Sequence, residues 1–184
     1  MNEKYRNLDN QSKMTAGFVI ENNMDKIEEG VYLGNDNAEK DLQTLLDANI
    51  KIIISVLTDF EPSHKQFKYT IIPALDLPTT NLIQYFDQTN KIISESIKNK
   101  ENILIHCAAG QSRSVTILAA FLMKSRGLSR VDALNFIRAS RPQIKPNDGF
   151  IAQLDLYQKL NYIVNTDQPL YRRFLNSLAM QQFR

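Results

Sequence analysis

Cys107 and Arg113 stand six positions apart in the stretch ILIHCAAGQSRSVTILAAFLM (Ile103–Met123), which holds the only cysteine of the chain. Cysteine acts as a nucleophile through its thiolate. Between the two residues lie Ala108, Ala109, Gly110, Gln111 and Ser112, none bulky and none acidic. Such a loop can turn successive backbone N–H groups inward as a nest for an anion. A helix beginning near Arg113 would add the positive end of its dipole. The guanidinium would add a planar fork for two phosphate oxygens. That field favours the thiolate, so the chemistry this spacing predicts is attack of sulfur on phosphorus. A cysteine behind an apolar run such as ILI is also commonly an inert core residue. The combination with Arg113 and the hydroxyl of Ser114 points beyond that reading.

The site needs a strand ahead of Cys107 and a helix behind it. NILIH reads as a buried strand, and a helix is expected from Arg113 to Ser125, stopped at Gly127. GVYLGN (Gly30–Asn35) reads as a short strand. IKIIISVL is continuously apolar and β-branched, as a strand covered on both faces would be. FKYTIIPAL is the next strand, ended by Pro73 and Pro78. A helix capped by Asn35 or Asp36 should run to about Ala48 with Ala38, Leu42, Leu45 and Leu46 on one face. Another begins at Asn81, with Leu82, Phe86, Ile93 and Ile97 at helical spacing. Ser129 caps a helix to Ala139, and Asn147 and Asp148 cap one to about Val164. A last helix is expected from Pro169 to Met180. Strands alternating with helices predict an α/β fold: a mostly parallel central sheet with helices on both faces, and the phosphate-binding loop between a central strand and a helix.

The 184 residues suit one domain, with 43% hydrophobic and 23% charged residues as in ordinary globular chains. A net charge of +2 gives no electrostatic case for nucleic acid. No segment approaches the roughly 20 apolar residues of a membrane span. One cysteine excludes an internal disulfide and a multi-cysteine zinc site, and suits a reducing cytoplasmic or nuclear setting. No metal-ligand cluster is visible, and neither cofactor nor metal is expected. Composition predicts a mobile arm over residues 1–22, ahead of a folded domain over 23–164 that holds the candidate site. A C-terminal helical extension is expected over 165–184.

HCAAGQSRS resembles the signature of the cysteine-dependent protein tyrosine phosphatases, in its dual-specificity form. GVYLGN, ALDLPTTNLIQYF and RPQIKPNDGFIAQL resemble further segments of that family, so the likeness runs from about Met24 to Tyr162. The resemblance implies a nucleophilic role for Cys107, phosphoryl binding by Ala108–Ser112 and Arg113, and assistance to the leaving sulfur by Ser114. It implies that His106 orients the loop and tunes the thiolate. Asp76, on the loop after IIPAL, would be the general acid and then base, although an aspartate there also suits a plain turn. Asn147 resembles the family's asparagine behind the phosphate loop, and it also suits a simple helix cap. Asp59 is expected in a substrate-facing loop, VLTDFEPSHKQ, and Asp87 on a solvated helix face. The implied function is hydrolysis of phosphotyrosine and phosphoserine or phosphothreonine in phosphoprotein substrates, through a cysteinyl-phosphate. Related phosphoinositide phosphatases carry lysines in this loop, whereas AAGQS carries no charge. The other readings are a phosphatase acting on a non-protein phosphate ester such as a phosphoinositide, and a non-catalytic phosphoprotein-binding module of the same fold. Such modules usually lack the cysteine, the arginine or the acid.

Overall fold

The computed structural model of the chain describes residues 22–181, so the expected N-terminal arm lies outside the described residues except for Asn22. Five strands form one sheet in the order β1-β2-β5-β3-β4. They are β1 Met24–Glu28, β2 Val31–Gly34, β3 Ile50–Val56, β4 Lys68–Ile72 and β5 Asn102–His106. Only β1 runs antiparallel, against β2. The pairs β2–β5, β5–β3 and β3–β4 are parallel. β3 and β5 are buried almost throughout because residues alternate between two apolar layers. Ile103 and Ile105 of β5, with Ile52 and Ile54 of β3, face the larger core. Leu104 and Ile53 face a smaller one containing Ala38, Leu45 and Phe67.

The larger core is covered by α3 Phe86–Lys98, α4 Arg113–Arg126, α5 Arg130–Ser140, α6 Asp148–Lys159 and α7 Pro169–Gln181. α4 is buried without a break from Arg113 to Met123, and Gly127 ends it in the left-handed conformation. α7 buries Tyr171 in the same core.

The helix expected from Asp36 to Ala48 is instead two, α1 Asp36–Lys40 and α2 Leu42–Asp47. Asp41 interrupts it by accepting the Thr44 amide as a second cap. Leu42 and Leu46 are consequently exposed, against expectation, while Ala38 and Leu45 are buried. Ile97 is exposed too, and α3 proper starts at Phe86 after a short 3₁₀ turn, Ile83–Tyr85. α6 stops at Lys159 rather than Val164, because Asn161 and Tyr162 take positive φ. The sequence reading did not recognise β1.

Candidate active site

β5 ends at His106 between Gly34 of β2 and Ser55 of β3, and α4 begins at Arg113. The loop between them is shaped by what binds its carbonyl groups. Ala108 O accepts the Asp36 amide at 3.1 Å and Gln111 O the Lys145 amide at 2.8 Å. Gly110 O accepts Arg141 Nε at 2.8 Å and Ala109 O accepts Arg141 Nη2 at 3.3 Å. Four successive carbonyls are thus drawn outward by the rest of the fold. In a trans peptide the next N–H lies opposite the carbonyl, so the N–H groups turn inward together. Gly110 is needed for this turn: its φ is +64°, and a Cβ would stand 2.5 Å from Gly34 O.

Arg141, a charged side chain with no exposure, anchors the arrangement. Its Nη1 also donates to Asp25 Oδ2 at 2.6 Å and to Asn22 O at 2.9 Å, so the buried charge is paired. Cys107 sits at the loop's entrance, 1% exposed, and Ser114 Oγ donates to its Sγ at 3.2 Å. Arg113 Nη1 donates to Ala74 O at 3.0 Å, while its Nε is buried with no partner among the described residues. A buried guanidinium N–H without an acceptor calls for one from outside the chain, and a phosphoryl oxygen is such an acceptor. His106 is fully buried, with Nε2 2.7 Å from Ser55 Oγ and, among the described residues, no partner on Nδ1. Burial pushes its imidazole down to about 4, against the opposing charges of Glu39 and Asp36 and with help from Arg113. The ring is therefore neutral near pH 7.

Asp76 comes to this loop from the segment after β4. Its Oδ1 accepts Ser112 Oγ at 2.7 Å and Asn147 Nδ2 at 2.8 Å. Asn147 also caps α6, its Oδ1 accepting the Phe150 amide at 3.0 Å. Buried Gln153 accepts the Leu82 and Ile83 amides and donates to Thr80 O, each at 2.8 Å, which fixes the segment beyond Asp76. Gly149 packs so close to Pro78 that a Cβ would lie 2.0 Å from Pro78 O. The loop thus brings together a thiol, a guanidinium, inward-turned amides and a carboxyl, groups whose chemistry suits a nucleophile, an anion cradle and a proton carrier.

Residues 31–160 match the family described as "Dual specificity phosphatase, catalytic domain". The chain belongs to the dual specificity phosphatase family. It is 36% identical over 163 residues to Dual specificity protein phosphatase 1 of Arabidopsis thaliana, covering 86% of this chain and 82% of that one. It is 38% identical over 138 residues to Dual specificity protein phosphatase 22 of Homo sapiens, covering 75% of each. The crystal structure of DUSP15 superposes with a TM-score of 0.74 at 35% identity, over 84% of this chain and 97% of that one. The human tyrosine phosphatase-like serine/threonine/tyrosine-interacting protein gives a TM-score of 0.73 at 29% identity. That match covers 76% of this chain and 98% of the other.

As a dual-specificity protein phosphatase the chain presents a cleft of about 310 Å³ beside the loop, lined by Ala108, Asp36, Thr58, Asp59 and Phe60 among others. Asp59 lines it, on the loop expected from the sequence to face substrate. Glu39, fully buried in α1, ties that helix to the segment beyond Glu61 and to β4: it accepts Ser63 N at 2.9 Å, Ser63 Oγ at 2.7 Å and Tyr69 Oη at 2.6 Å. Burial and the Glu39 bond push the Tyr69 phenol up, so it remains a donor.

Asp87 is not the solvated residue expected from its helix position. It is half-buried and accepts Tyr157 Oη at 2.8 Å, the Val164 amide at 2.7 Å and Lys124 Nζ at 2.9 Å. Burial raises its carboxyl, and those three donors outweigh that and hold it below the ordinary value. It ties α3 to α4, to α6 and to the chain beyond α6, away from the phosphate loop.

Sequence reasoning missed Arg141, Glu39 and Ser55. Ser55 left a signal, as one hydroxyl inside the run IIISV. Arg141 left a weaker one, as a charge opening the proline-bounded segment RPQIKP. Glu39 left none.

Proposed function

We propose that this phosphatase hydrolyses phosphotyrosine and phosphoserine or phosphothreonine in proteins through a cysteinyl-phosphate on Cys107. The observation that carries the reading is the thiol at the mouth of a loop whose four carbonyls are all bound outward. The Cys107 thiolate attacks phosphorus, forming S–P as the bond to the leaving oxygen breaks. The inward amides of residues 109–112, the helix-start amide of Arg113 and its guanidinium hold the equatorial oxygens, the largest contribution in such a site. Asp76 gives its proton to the leaving oxygen. Water then attacks phosphorus and passes a proton back to Asp76, and S–P breaks. The Ser114 hydroxyl, already on Sγ, stabilises the departing thiolate. Neutral His106 shapes the loop from behind through Ser55. The charge is handled by protein groups throughout, so the mechanism uses no cofactor or metal.

The catalytic unit spans residues 23–164, and α7 follows it as a helical extension. The setting is cytoplasmic or nuclear, consistent with a free thiol as nucleophile. No described helix is long and apolar enough to cross a membrane. The partner is phosphoprotein rather than nucleic acid. A binding-only role is disfavoured here because Cys107, Arg113 and Asp76 converge on one loop.

Purified protein should turn over phosphotyrosine and phosphothreonine peptides, with phosphoinositide vesicles the poorer substrate. Tight phosphopeptide binding without turnover would overturn the reading in favour of a binding module. A preference for the vesicles would overturn it in favour of a lipid phosphatase.

A further inference from the structure

Ser112 occupies the N-cap position of α4, where a serine side chain ordinarily accepts an amide of the helix's first turn. Here it makes no capping bond. Its Oγ donates instead to Asp76 Oδ1 and receives the Asn147 amide at 3.3 Å. Asn147 has spent its Oδ1 on the α6 cap, and its spare Nδ2 donates to the same Asp76 oxygen. Two donors therefore converge on Oδ1, and among the described residues none donates to Oδ2.

We propose that Ser112 and Asn147 are positioning residues that divide the Asp76 carboxyl between two tasks, with Oδ1 anchored and Oδ2 carrying the proton. This rests on the reading of Asp76 as acid and base. An oxygen that accepts two hydrogen bonds is occupied as an acceptor, which leaves the other oxygen to bear the hydrogen. In the first step the Oδ2–H bond breaks, and the proton goes to the leaving oxygen as its bond to phosphorus breaks and S–P forms. In the second, Oδ2 takes a proton from the attacking water as the new O–P bond forms and S–P breaks, so the carboxyl returns to its starting state.

The anchoring matters because Asp76 is exposed on a loop and would otherwise rotate freely. Ser112 contributes its amide to the anion cradle and its hydroxyl to the acid, so one residue fixes the distance between phosphate and proton. The diverted cap has a second effect. The first-turn amides of α4 that the hydroxyl would have filled stay open for an anion.

The test combines Ser112→Ala, Asp76→Ala and the double variant, assayed on p-nitrophenyl phosphate and on a phosphoserine peptide, with vanadate inhibition as a readout of the cradle. Ser112→Ala should lower kcat on the peptide about tenfold to a hundredfold, the range of a misplaced catalytic group. It should cost less than about threefold on p-nitrophenyl phosphate, whose leaving group needs little protonation. Vanadate inhibition should be unchanged, and Ser112→Thr should restore the peptide rate. In the Asp76→Ala background, Ser112→Ala should add less than about twofold, because the two act as a unit. Asn147→Asp keeps the α6 cap but exchanges the donor for an acceptor, and should repeat the selective loss even if Ser112→Ala folds poorly. Equal losses on both substrates, or an undiminished Ser112→Ala effect without Asp76, would overturn the proposal and place Ser112 in the cradle alone. If Asp76→Ala itself shows no leaving-group dependence, the assignment of the acid falls, and this inference with it.

Discussion

Lowering the pH should weaken this fold through one ring. His106 is fully buried and its imidazole is held near 4 against an ordinary 6.5. Below 6.5 the unfolded chain takes up a proton at this histidine that the folded chain refuses. Stability therefore falls with pH through the window from 6.5 to 4, and the contribution is intact above it. At about 1.4 kcal/mol for each pH unit, the full loss is about 3 kcal/mol at pH 4, of which about 2 kcal/mol is reached by pH 5. A loss of 2 kcal/mol is a sizeable part of a domain's total stability. The perturbation is best isolated with His106→Gln, which keeps a polar atom for Ser55 Oγ and does not titrate. Urea unfolding of both proteins at pH 7 and pH 5 gives the difference of differences, which cancels the carboxylates common to both. With a denaturant slope of about 2 kcal/mol per molar, the wild-type midpoint should fall about 1 M further than that of the variant. Parallel losses in the two proteins would refute the claim that burial keeps His106 neutral.

Arg113→Lys should cut kcat/KM by more than about a hundredfold on any substrate. Lysine keeps the charge but cannot hold two oxygens while bonding Ala74 O, and a change under threefold would remove Arg113 from the site. Gly110→Ala forces a Cβ toward Gly34 O and Arg141 Nη2 at φ +64°. It should lose stability by roughly 1–3 kcal/mol and weaken vanadate inhibition. Thermal unfolding and inhibition that both match the wild type would show that the loop does not need its glycine.

The phosphate loop was legible because its chemistry is local. Thiol, small residues and guanidinium follow one another, and the β-branched run before them and the apolar run after them name their own elements. What escaped reading depends on partners far along the chain. Asp87 looks solvated by helical period, yet its partners Lys124, Tyr157 and Val164 lie 37 to 77 residues away. Arg141 reaches the loop across 31 residues and the start of β1 across 116. Asp41 was hidden by a different competition. The apolar spacing favoured one continuous helix, and a side-chain cap inside it won, which moved Leu42 and Leu46 to the surface. β1 escaped because an edge strand of mostly polar residues, MDKIE, carries little apolar alternation. Asn147 could be read either as a cap or as the asparagine behind the phosphate loop; its Oδ1 caps α6, its Nδ2 donates to Asp76, and its backbone amide donates to Ser112 Oγ.

The central claim is that Cys107 carries the phosphoryl group between the two steps. Rapid acid quench of the wild type with an isotopically labelled phosphopeptide, followed by peptide mapping, tests it most directly. Label should appear within the first turnover on the peptide containing Cys107 and be absent from Cys107→Ser, which should fold normally and release no phosphate. Steady turnover by Cys107→Ser, or label found on any other residue of the wild type, would contradict the account.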